Sequence, residues 1–140
     1  MVKTEVMSEK IESINKALVL KAFDTLFNKC DYAAAERFWS PDYIQHSAHI
    51  EPGREGLFNL VKSLPSTSKY EPRVIVADGD FVIVHGRFSG FGAPAKWIAA
   101  EILVVKRNPH GVLGRDPGRG NRGAVKEQAA DVWHYIPDPR

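Results

Sequence analysis

The feature that most constrains this chain is a change of hydrophobic period at about Tyr70. Before it, apolar residues recur at three- and four-residue spacing; after it come runs rich in valine, isoleucine and aromatics. Helices first and a block of strands afterwards predict an α+β domain with an antiparallel sheet. In the first half, Ile11, Ile14, Leu18, Ala22 and Leu26 make a stripe that Val19, Phe23 and Phe27 widen, so a helix over 9–29 packed by one broad face is expected. Asp31 offers an N-cap for a short helix through Ala33, Ala34 and Ala35 to Phe38, stopped at Ser40-Pro41. A third helix fits Gly53 to Leu64, with Leu57, Leu60, Val61 and Leu64 on one face and Pro65 as its stop.

Residues 73–77, 80–88 and 96–106 read as strands, with Asp78-Gly79 as a hairpin turn between the first two. The 34 residues from Arg107 hold nine glycines and prolines, against eleven in the 106 before them, and show neither period. That tail reads as loop, with only residues 129–136 able to form a closing strand. There is no internal repeat, and 140 residues fit a single domain able to bury a core.

Composition excludes several classes. A net charge of +2 is too small to argue for nucleic acid or an acidic membrane surface. No apolar run approaches a membrane span, and MVKTEVMSEK lacks the apolar centre of a signal peptide, so a cytoplasmic protein is expected. One cysteine, Cys30, allows no intramolecular disulfide and has no neighbour that marks it as a nucleophile. His49 and His110 lack companions at metal spacing, so no metal site is expected.

The segment LVLKAFDTLFNKCDYAAAERFWSPDYIQHSAHIEPGREGL carries the most specific pattern: a helix, a short helix after an Asp, then Tyr43-x-Gln45-His46, then Pro-Gly-Arg-Glu-Gly with Gly53 and Gly56. With VIVADGDFVIVHGRF and WIAAEILVV, it resembles the SnoaL-like proteins of the nuclear transport factor 2-like superfamily over roughly three quarters of the chain. The resemblance implies a cone-shaped curved antiparallel sheet packed on N-terminal helices, a pocket for a small organic molecule, a homodimer, and no cofactor. It includes polyketide cyclases that close rings by intramolecular aldol condensation, and also plain binding or dimerisation modules. It also implies a last strand with a His-Trp-Asp stretch, which residues 107–140 lack. Reading the codons one nucleotide on, with third bases chosen freely, permits W-D-V-I-Q-D-E-A-T in this tail, which suggests a frameshift near Lys106. Damage of that kind would favour the non-catalytic reading.

Glu101 lies inside an apolar strand, where period two puts Trp97, Ala99, Glu101 and Leu103 on one face. A carboxylate in such a wall should hold its proton more tightly and suits an acid or base; the plainer alternative is an edge-strand glutamate facing solvent or a dimer partner. His46 can exchange protons near neutral pH or merely position a ligand. His85, on a strand face with Phe81, Ile83 and Arg87, either pairs with Glu101 or a substrate oxygen or is an ordinary structural histidine. Glu101, His46 and His85 are thus the candidate catalytic residues, with Tyr43 and Gln45 as polar ligand contacts. Trp39, Phe58 and Trp97 are candidate pocket walls that could equally be core.

Overall fold

The apolar stripe of the first helix is buried over only part of its length. The computed structural model describes residues 2–92 and 96–105, together with the backbone of residues 131–135. In it, α1 (Val2–Phe23) buries Asn15, Val19, Ala22 and Phe23. Ile11 and Ile14, expected within the buried stripe, are 37% and 43% exposed. For Ile11 the reason is where the sheet ends, whereas Ile14 lies one residue before the buried Asn15, about 100° round the helix. The tip of a β-hairpin meets α1 at Glu12 and Asn15: Asn15 Nδ2 donates to the Gly79 carbonyl (3.0 Å), and the Gly79 amide donates to Glu12 Oε1 (3.1 Å). The turns before Glu12 therefore run out past that tip.

A π-helical turn, Asp24–Asn28, continues α1 and buries Thr25 and Leu26. The wider turn is followed by Cys30 in the left-handed region (φ 51°), and Asp31 then caps α2 (Tyr32–Ala35) as expected, its Oδ1 accepting from the Ala34 amide. The α2 helix is shorter than the spacing to Phe38 predicts. After the two-residue strand β1 (Ile44–Gln45) comes α3 (Gly53–Ser63), which buries Gly56, Leu57, Phe58 and Val61. Gly56 is required there: a β-carbon would lie 1.8 Å from the Glu51 carbonyl oxygen.

The sheet is β2 (Lys69–Asp78), β3 (Phe81–Ser89), β4 (Trp97–Val104) and β5 (Asp131–Tyr135), in spatial order β1-β5-β4-β3-β2. The pairs β2–β3, β3–β4 and β4–β5 are antiparallel, and β1 joins β5 in parallel. Strand β2 starts earlier than expected and takes in Tyr70 and Pro72. A proline is tolerated because β2 is an edge strand, and its register shifts between Pro72 and Val74. The hairpin turn is Gly79-Asp80, one residue later than expected, since Asp78 still pairs with Phe81 and Gly79 takes the positive φ of 56°.

Residues 131–135 supply the closing strand expected from 129–136; its side chains, and the tail expected between Arg107 and residue 130, lie outside the described residues. The core fills the inner face of the sheet, where Val82, Val84, Leu103 and Val105 meet Val19, Phe23 and Leu26 from the N-terminal helical segment and Leu57, Phe58 and Val61 from α3. This is the α+β arrangement expected, helices packed on a curved antiparallel sheet.

Candidate functional site

Strand alternation sets the position of Glu101. Ala99, Glu101 and Leu103 are buried, and the Cα partner of Glu101 on β3 is Val84, itself wholly buried. Glu101 is 1% exposed, so the edge-strand alternative does not hold. Trp97, expected on the same buried face, is 59% exposed at the start of β4, its ring 5.3 Å from that of Phe91. It is not a wall of the interior.

A carboxylate in an apolar interior costs several kcal/mol unless other groups compensate it. Tyr70 is one titratable neighbour close enough to feel its charge. Burial, and then the charge of Glu101, push the Tyr70 phenol far above its ordinary range. Tyr70 is 2% exposed and its hydroxyl has no hydrogen-bond partner among the described residues. The hydroxyl lies over Gly86, where a β-carbon would sit 2.3 Å from it, and Gly86 pairs with Ala99, two residues before Glu101. Glycine and alanine thus form a low floor between two strongly polar groups. Sequence reasoning missed Tyr70, using it only to mark where the strands begin. Its signal was an aromatic with a polar tip at the mouth of an apolar strand.

The Tyr43-x-Gln45-His46 segment makes a second polar group on and after β1. Tyr43 is buried; Gln45 Nε2 donates to the Tyr43 hydroxyl (3.1 Å), and Gln45 Oε1 accepts from the Ser47 amide (3.1 Å). Both ends of the Gln45 amide are therefore engaged in shaping the turn. β5 separates β1 from β4, and Gln45 pairs with Val132 where Glu101 pairs with His134, so this segment lies two strands away from Glu101 and offset along them. His46 is exposed, in contrast to Glu101.

His85 does not join Glu101. Its β4 partner is Ala100, and it alternates with the buried Val84 and Gly86, so it stands exposed on the outer face. The period that buries Glu101 turns His85 away, and the expected pairing of the two is geometrically closed. Trp39 and Phe58 are buried, 6.1 Å apart edge to face, and Arg54 Nη1 donates to the Trp39 carbonyl (3.2 Å). A separate open groove lies between the first turns of α1 and the hairpin tip, lined by Lys3, Met7, Ile11 and Asp80 among others. Among the described residues no group of three or more His, Cys, Asp or Glu could hold a metal ion, and no helix is long and apolar enough to cross a membrane.

The model of the SnoaL-like domain family matches residues 19–134, a span that takes in both β5 and the atypical tail. No curated protein matches the chain at a significant level. Among solved structures, the chain is similar to a ketosteroid isomerase candidate from Kribbella flavida, at 17% identity and a TM-score of 0.59, covering 83% of this chain and 94% of that one. It is also similar to AclR, a hydroxylase candidate from Streptomyces galilaeus, at 19% identity and a TM-score of 0.51, covering 73% and 75%. Identities this low carry the fold alone. With most of its length matched by the family model, and with the helix-on-curved-sheet fold of the nuclear transport factor 2-like superfamily, the chain belongs to the SnoaL-like domain family.

Proposed function

We propose that the protein takes a small carbonyl compound into the interior between its helices and the inner sheet face, and moves a proton next to the carbonyl. The observation that carries this reading is Glu101, a carboxylate 1% exposed on an apolar face beside a buried phenol. Folding alone does not favour a carboxylate there, and such sites are where acids and bases are kept poised. Glu101 removes a proton from the carbon next to the carbonyl. The C–H electron pair forms the enolate double bond, and the carbonyl electrons move onto oxygen. Returning the proton to a different carbon isomerises the compound; attack of the enolate carbon on a second carbonyl closes a ring, and the alkoxide so formed takes the proton back from Glu101. Neither route needs an oxidant or a cofactor. The isomerase candidate among the structural neighbours supports the first, and the family's cyclases the second. Tyr43 and Gln45 hold polar groups of the ligand at the β1 side, with the exposed His46 at the rim.

The test is deuterium exchange. In heavy water, the wild-type protein is expected to speed incorporation of deuterium next to the carbonyl of β-tetralone, followed by proton NMR. Glu101→Gln should cut that rate about a hundredfold or more while the melting temperature stays close to wild type. Equal rates for the two proteins would remove Glu101 as the base. Binding of the ketone without exchange would point instead to a ligand-binding module of the same fold.

A further inference from the structure

Tyr70 is held more firmly than a core tyrosine needs to be. Its backbone amide donates to Asn28 Oδ1 (2.8 Å), and its carbonyl accepts from Asn28 Nδ2 (3.1 Å). One side-chain amide, at the end of the π-helical turn, thus satisfies both main-chain groups of an edge-strand residue. Three rings then fix the phenol: Phe88 at 4.6 Å between centroids, Phe23 at 5.2 Å and Phe27 at 5.7 Å. The ring therefore reaches diagonally from β2 across to Gly86 on β3, whose missing side chain leaves room for the hydroxyl. The result is a rigid O–H, buried, without a partner among the described residues, on the same face as Glu101.

An unpaired buried hydroxyl leaves its loss of water uncompensated. Phenylalanine would fill the same space without that cost. A donor that is preorganised and left unsatisfied has the properties of a group waiting for an acceptor that arrives with a ligand.

We propose that Tyr70 is the hydrogen-bond donor that receives the ligand's oxygen, fixed by Asn28 and the Phe23–Phe27–Phe88 cage and given clearance by Gly86. The inference rests on the interior ligand site proposed above and names the group that grips the carbonyl. During proton transfer, the same O–H stabilises the oxygen as it becomes negative, without itself giving up its proton.

The probe is para-nitrophenolate, a flat anion with the charged oxygen of an enolate, titrated by its absorbance into wild type, Tyr70→Phe and Glu101→Gln. Tyr70→Phe should melt at or above the wild-type temperature, because it removes an unsatisfied polar atom, and yet bind the phenolate about tenfold or more weakly. Glu101→Gln should bind at least as tightly as wild type, since a like charge is gone. Unchanged affinity in Tyr70→Phe overturns the role given to Tyr70 and leaves the proton-transfer reading standing. A lowered melting temperature with weaker binding makes Tyr70 a structural residue and also overturns it. No binding by wild type or Glu101→Gln removes the interior ligand site itself, and both readings with it.

Discussion

The two faces of the sheet are built from the same alternating strands, and each carries residues that the other would suit better. The inner face, packed under the helices, holds Glu101 and the Tyr70 hydroxyl. The outer face leaves Val74, Val76, Phe81, Ile83 and Ile98 exposed on three adjacent strands, with Phe81 55% accessible. Its polar members include His85 and the Arg87–Glu71 pair towards one end and Asp78, opposite Phe81, at the other. If burial of apolar surface were the only requirement, the charges would be outside and the aliphatic residues inside. Departures on both faces set up two separate tests: of the ligand site proposed for the inner face, and of the homodimer that the family resemblance implies for the outer one.

The largest expected effect that would break this contrast is at Gly86. Gly86→Ala puts a methyl group 2.3 Å from the Tyr70 hydroxyl and 2.5 Å from the ring carbon that bears it. Overpacking of this kind costs about 1–3 kcal/mol, read as a lower denaturation midpoint. Adding Tyr70→Phe should recover only part of the loss, because the ring carbons still collide. A Gly86→Ala protein as stable as wild type would mean that the floor is looser than the packing shows.

An intermediate effect comes from alkali. Burial and the Glu101 charge hold the Tyr70 phenol protonated far above its usual range. Below about pH 10, the ordinary tyrosine value, the folded and unfolded states both keep this proton, and the full stability is present. Above it the unfolded chain loses the proton while the folded chain retains it, so stability falls with rising pH by the slope of one proton. Tyr70→Phe should remove that component from the stability profile between about pH 10 and 11. An identical alkaline slope in both proteins would mean that Tyr70 ionises as an exposed tyrosine does.

The smallest effect on stability belongs to the outer face. Phe81→Ser and Ile83→Ser, at exposed positions, should change the stability of the folded monomer by no more than about 0.5 kcal/mol each. Their effect should appear in association: a homodimer of wild type in sedimentation velocity, and a monomer in the double variant. A wild-type monomer at all concentrations would leave the outer face without the role that the family resemblance implies.

How much of this was legible beforehand depended on whether the determining contact was local. Asp31 as a cap, the helix-to-strand switch near Tyr70 and the placing of Ala99, Glu101 and Leu103 on one face follow from neighbours a few residues apart. By the same period, His85 and the buried Val84 had to face opposite ways, so the pairing of His85 with Glu101 could have been rejected once Val84 was known to face Glu101. That register was not available, because a one-residue slip between strands reverses every such relation. Likewise, the apolar spacing of Ile11 and Ile14 could not show that the hairpin tip stops at Glu12 and Asn15.

By itself, then, the sequence determined the kinds of element, their order, the family and the presence of a carboxylate within an apolar strand, because these are written in periods of 2.0 and 3.6 residues. Only the tertiary structure decided which face was enclosed, that Tyr70 rather than His85 lies beside Glu101, and that Asn28, 42 residues away in the chain, fixes it. Those outcomes depend on groups far apart in sequence meeting at atomic distances. Side chains such as asparagine and tyrosine carry no periodic signal that would announce such a meeting.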